Sequence, residues 1–146
     1  MGDPLSIAAS ITGLISTSAQ IVGMTKELFD KTRDVPVSMM RVREEVESMQ
    51  TIFRQLQLLL NGAVSRPNLI MLSAHNLMAT LTGCVSAFGR LEKKLNEVPG
   101  LNDPTTASAA NRVAWGLWGY EEALVIIEEL QRPKLSLTLM LTAFTR

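Results

Sequence analysis

Apolar residues recur along this chain at intervals of four and three, and prolines and glycines divide them into long segments. That spacing puts them on one side of an α-helix, so the pattern predicts helices throughout. The first segment opens at Asp3-Pro4, an N-cap residue followed by proline at the first helical position. It runs to about Arg33-Asp34, because Pro36 pushes Val35 out of the α region. Ile7, Ile11, Leu14, Ile15, Ile21 and Val22 share one arc, which Leu28 and Phe29 extend, and Thr12, Gly13, Ser16, Gln20 and Gly23 share the opposite one. A second helix spans about Val37 to Leu60, with Val42, Val46, Met49, Phe53, Leu56 and Leu60 as a heptad seam, and stops at Asn61-Gly62. Pro67 opens a third, which reaches about Glu97 before Pro99-Gly100. Its seam is Ile70, Ala74, Leu77, Leu81, Cys84, Phe88, Leu91 and Leu95. Gly83 and Gly89 weaken this helix locally and make room for a close neighbour, with the first helix as the candidate.

Leu101 to Ala110 reads as a loop in which Asp103-Pro104 offers another helix start. Trp115 and Trp118 follow within one turn of each other and are expected to be buried against the first or third helix. Beyond Gly119, Glu121 to Gln131 reads as helix with Leu124, Ile127 and Leu130 inward and Glu121, Glu122, Glu128 and Glu129 on an acidic outer face. Pro133 kinks or restarts that helix, and Leu135, Leu137, Leu139, Met140, Leu141 and Phe144 make a nearly uncharged end. The expected fold is all-α, a four- to five-helix bundle forming one domain over residues 1–146. An end this apolar fits a terminus buried by packing or the N-terminal part of a longer protein.

Composition sharpens the picture in a few places. With 47% hydrophobic but only 5% aromatic residues, the core must be aliphatic. Fourteen basic and fourteen acidic residues cancel, which argues against an electrostatic nucleic-acid binder. Zero net charge together with a mean hydropathy of +0.18 favours association, self-association included. One cysteine excludes an internal disulfide and fits a reducing, cytoplasmic compartment; Cys84 itself reads as a small apolar core residue. Gly2 with Ser6 superficially matches a myristoylation pattern, but Asp3 and Pro4 are poor context for it. No catalytic constellation can be assembled. The chain has no glycine-rich phosphate loop, no H-E-x-x-H, no C-x-x-C and no nucleophile elbow, and one His with one Cys cannot complete a zinc site. His75 reads as an ordinary surface or partly buried histidine, and neither enzyme nor cofactor is expected.

The first helix is the unusual element, because Pro4 to Thr25 contains no charged residue. Such a helix can serve as the central helix of a soluble bundle, or as a latent membrane helix that enters lipid without burying a charge. A signal peptide lacks support, since Met1-Gly2-Asp3 supplies no positive region and no cleavage site precedes Lys26, Glu27 and Leu28. A permanent span is diluted by Ser, Thr, Gly and Gln. Leu5, Ile7, Ile11, Leu14, Ile15, Ile21 and Val22 are the candidate inserting residues. Ala9, Gly13 and Thr17 form a small residue every fourth position, a pattern that permits close helix contact. Lys26, Lys31, Arg33, Arg41 and Arg43 make a modest basic patch for lipid headgroups, interspersed with acids.

Two stretches carry a family resemblance. The opening DPLSIAASITGLISTSAQIV, with Gly13-Leu14-Ile15 as its central step, resembles the HeLo-like N-terminal domain of fungal STAND (NLR-like) proteins. So does the closing run from Val113 to Trp118, followed by Leu130 to Leu137 with Lys134 and Ser136. Pro133 departs from the uninterrupted helix the family would have there. The resemblance implies an all-helical bundle related to that of necroptosis pseudokinases, placed ahead of a nucleotide-binding switch or other partner modules. It also implies an effector of regulated cell death or incompatibility that oligomerises and permeabilises membrane, or an adaptor without toxic activity. Combined with the uncharged first helix, the expectation is a cytoplasmic domain whose N-terminal helix inserts into membrane when the domain oligomerises. The alternative is a bundle that only docks partners through its heptad seams or its apolar C-terminal end.

Overall fold

The computed structural model describes residues 4–31, 37–61, 67–96 and 120–144. All of these are helical: α1 (Pro4–Lys31), α2 (Val37–Asn61), α3 (Pro67–Asn96) and α4 (Tyr120–Phe144). The expectations for Leu101–Ala110, for Trp115 and Trp118, and for the stops at Pro36, Gly62 and Pro99-Gly100 lie outside the described residues. So do the side chains of Leu28, Phe29, Lys31, Ile70, Glu121 and Phe144, and all of Arg33.

Each helix buries a four-three seam. In α2 it is Val42, Val46, Met49, Phe53 and Leu56, and in α3 Leu77, Leu81, Cys84, Phe88, Leu91 and Leu95. Leu60 and Ala74, expected on those seams, pack half-buried at their ends. The α4 seam is Ala123, Ile127, Leu130, Leu137 and Leu141, with Ile126 and Met140 beside it, while Leu124 is only half-buried. Burying an aliphatic side chain of this size is worth roughly 1.5–3 kcal/mol, so this aliphatic column dominates the stability of the bundle. Phe53 and Phe88 meet inside it edge to face, with ring centroids 5.7 Å apart and planes at 88°.

α1 packs between α2 and α3, and α4 packs against the same two helices from the other side. α1 and α4 therefore occupy one diagonal and α2 and α3 the other. Gln57 Nε2 donates to Thr12 Oγ1 at 3.5 Å and fixes the register of the α1–α2 pair. Arg90 pairs with Glu129 and Lys94 with Glu122, so α3 and α4 run antiparallel. Of the glutamates read as a solvated outer face, Glu122 and Glu129 thus bridge to a neighbouring helix. Lys134 Nζ lies 3.1 Å from Glu45 Oε1, a carboxylate oxygen otherwise shut off from solvent, and ties α4 to α2.

Two expectations are corrected here. Pro133 does not restart the helix: α4 runs as one helix from Tyr120 to Phe144 across it. Gly83 and Gly89 admit no close neighbour: both are exposed, and a Cβ on either would meet nothing within 4 Å.

Candidate functional site

The candidate site is α1, and its seam is longer than its aliphatic residues alone indicate. Ile7, Ile11, Leu14 and Ile21 are fully buried, and Ser18 and Thr25 are buried with them. The order 7, 11, 14, 18, 21, 25 is an unbroken four-three series in which two steps are hydroxyl residues. Hydrophobicity alone passes over Ser18 and Thr25; the spacing is the signal that finds them. A buried hydroxyl is costly without a partner, and each of these has one in its own helix. Ser18 Oγ donates to the Ile15 carbonyl and Thr25 Oγ1 to the Val22 carbonyl, both at 2.8 Å. Thr12 does the same on the outer side, donating to the Ala8 carbonyl at 3.0 Å. These polar groups are therefore satisfied within α1, whatever surrounds the helix.

The other proposed inserting residues are placed less deeply. Ile15 and Val22 flank the seam and are half-buried, and Leu5 is 83% exposed, so the resting fold does not bury these three as it buries Ile7 or Leu14. The small-residue series faces largely outward. Ala9 and Gly13 are exposed, Thr17 is half-buried, and among the described residues nothing lies within 4 Å of where a Gly13 Cβ would be. No close contact at Gly13 is made among the described residues. The outward face of α1 consists of uncharged residues such as Ala8, Ala9, Thr12, Ser16, Ala19 and Gln20. Among the described residues, Leu5–Lys26 is the one helix stretch that is both long and apolar enough to cross a bilayer; it has 22 residues, and 28% of its 18-residue apolar window is buried.

The basic patch is only partly assembled. Lys26 and Arg41 are exposed, and the register set by Thr12 and Gln57 places Lys26 level with Arg43 at one end of the α1–α2 pair. Arg43 Nε donates to Glu47 Oε1 at 3.0 Å, which offsets its charge locally. The side chain of Lys31, and all of Arg33, lie outside the described residues.

Elsewhere the reactive groups are few. Burial pushes the Cys84 thiol up to about 12, so it stays protonated and behaves as a core residue. His75 is exposed. Among the described residues no three His, Cys, Asp or Glu side chains are grouped to hold a metal ion. A cleft of about 530 Å³ between α2 and α4 is lined by Gln55, Leu58, Leu59, Thr138, Leu141 and Thr142, none of them titratable. Leu58, Leu135 and Leu139 are all more than half exposed on these two helices. Compared with protein-family models, with curated proteins and with solved structures, the chain matches none.

Proposed function

We propose that this bundle is a membrane-active effector domain: on oligomerisation α1 leaves the bundle and enters a lipid bilayer. One observation carries the reading. α1 has no charged residue from Pro4 to Thr25, and its buried hydroxyls are bonded within the helix. Moving it from the bundle to hydrocarbon therefore strands no charge and leaves the Ser18 and Thr25 hydroxyls bonded. The resemblance to HeLo-like domains of fungal STAND proteins supports the same reading. It adds a downstream nucleotide-binding or other partner module as the source of the trigger. Lys26 and Arg41, near the end of α1 and the start of α2, are the candidates for first contact with anionic headgroups.

The test exploits the exposure of Ser16, which lies near the middle of the apolar span. Ser16→Asp leaves the bundle intact but places a carboxylate at mid-membrane, at a cost of about 2.5–3.5 kcal/mol on insertion scales. Dye release from anionic liposomes by the folded variant is expected to fall at least tenfold below wild type. Undiminished release, or none from wild type, overturns the reading. The exposed leucines around the α2–α4 cleft favour a second reading, an adaptor that docks a partner helix there. That reading has no membrane step and predicts no release from wild type or from the α1 variant.

A further inference from the structure

Two stretches of the bundle are without charge, and they stand side by side. Pro4–Thr25 of α1 is one, and Pro67–Gly89 of α3, between Arg66 and Arg90, is the other. Their orientation follows from what each helix touches. Thr12 meets Gln57 of α2, so the opposite flank of α1, with Ser10, Gly13, Thr17 and Gln20, borders α3. Arg90 and Lys94 reach α4, so the opposite flank of α3, with Met78, Thr82, Val85 and Gly89, borders α1. Together these flanks make one outer wall. Gly13, Gln20, Thr82 and Gly89 are exposed on it, and Val85 stands at 50% exposure near its middle. The Thr82 hydroxyl is already committed to the Met78 carbonyl at 2.8 Å.

We propose that this α1–α3 wall is the surface on which a second copy of the chain docks. A two-fold axis brings the same patch of each copy face to face, so any net charge in the patch meets itself. The wall avoids that repulsion, whereas α2 carries Arg41, Arg43, Glu44, Glu47 and Arg54 and α4 carries Glu122, Glu128, Glu129 and Arg132. Its size also fits. Two helices about 10 Å across and about 33 Å long present roughly 660 Å² in projection and more as accessible surface, close to the ~800 Å² per partner of a standard stable interface. Gly13 and Gly89 have open space where a Cβ would stand, so two backbones can approach closely, with Val85 as the apolar anchor between them. This pairing does not depend on membrane activity, and a chain that never permeabilises vesicles can still form it.

Sedimentation of the purified chain over a wide concentration range tests the proposal. Wild type is expected at twice the chain mass, and the double variant Gly13→Lys with Val85→Lys at the single mass. Both sites are open, so circular dichroism is expected to be unchanged. The corresponding Gly13→Glu with Val85→Glu variant is also expected as monomer, and mixing the Lys and Glu variants restores the doubled mass. Val125→Lys on the exposed side of α4 leaves the dimer intact. A wild-type chain that stays monomeric overturns the proposal, as does a dimer indifferent to the wall variants. If that monomer sediments with phosphatidylcholine vesicles and Val85→Lys does not, the wall is a lipid-binding face instead.

Discussion

At the scale of single residues, the core is defined by side chains that gain nothing from water. Cys84 shows this most directly, since its thiol is raised by burial from an ordinary value of 9.0 to about 12. Between those values the unfolded chain ionises this group and the folded chain does not, so the folded state holds the extra proton. Stability contributed by the buried thiol is therefore complete below pH 9 and is lost as pH rises toward 12, with a slope approaching 1.4 kcal/mol per pH unit, about one proton's worth. Urea unfolding at pH 8 and at pH 10.5 is expected to show this decline in wild type and a smaller one in Cys84→Ala. An equal decline in both would place the thiol in contact with solvent. The position of Cys84 was legible from spacing alone, because it occupies the step between Leu81 and Phe88. Ser18 and Thr25 stand at equally regular steps of their seam, but residue type argues against burial there, so spacing and hydrophobicity disagree. What makes their burial tolerable is a local bond from each hydroxyl to the backbone, which spacing does not report.

At the scale of elements, α1 and α4 are held in different ways. α4 is joined to its neighbours by ion pairs at three places: Glu122 with Lys94, Glu129 with Arg90, and Lys134 with Glu45. The hydrogen bond from Arg90 holds the Glu129 carboxyl below its usual range, although both groups are exposed to screening solvent. Pro4–Thr25 has no group able to form an ion pair and is held almost wholly by apolar packing. Salt distinguishes the two. At 1 M the Debye length is about 3 Å, so exposed pairs are largely screened while burial of apolar surface is not weakened. Amide hydrogen exchange in α4 is expected to accelerate relative to α1 when salt is raised from low concentration to that level. Acceleration confined to α1 would contradict this division. The helical type and the seams of α1, α2 and α3 were readable because the four-three spacing is regular there. The three interhelical pairs were not, since a glutamate on an outer arc looks alike whether it meets water or a lysine of the next helix.

For the whole molecule, charge is segregated: the α1–α3 wall has none over most of its length, and α2 and α4 carry it on the other side. The continuity of this wall depends on which helices are neighbours, and seam spacing alone does not give that. If the wall pairs two copies and α1 is released on oligomerisation, pairing is the step that precedes insertion. Val85→Lys, which alters the wall without touching α1, is then expected to permeabilise anionic liposomes only at higher protein concentration than wild type. A lower requirement would show that pairing restrains insertion rather than assisting it.

The repeated spacing has a further consequence for position along the bundle axis. A seam that recurs every seven residues fits its neighbours again after sliding one heptad, about 10.5 Å. Only features that do not repeat tell a helix where to stop. The Phe53–Phe88 ring pair keys α2 to α3, and Lys134 against Glu45 keys α4 to α2. The described seam of α1 bears no comparable mark, because Ile7, Ile11, Leu14 and Ile21 are close in size and the Gln57–Thr12 hydrogen bond is long and exposed. Three helices are locked to one setting like notched posts, and the fourth is a smooth rod in the same socket.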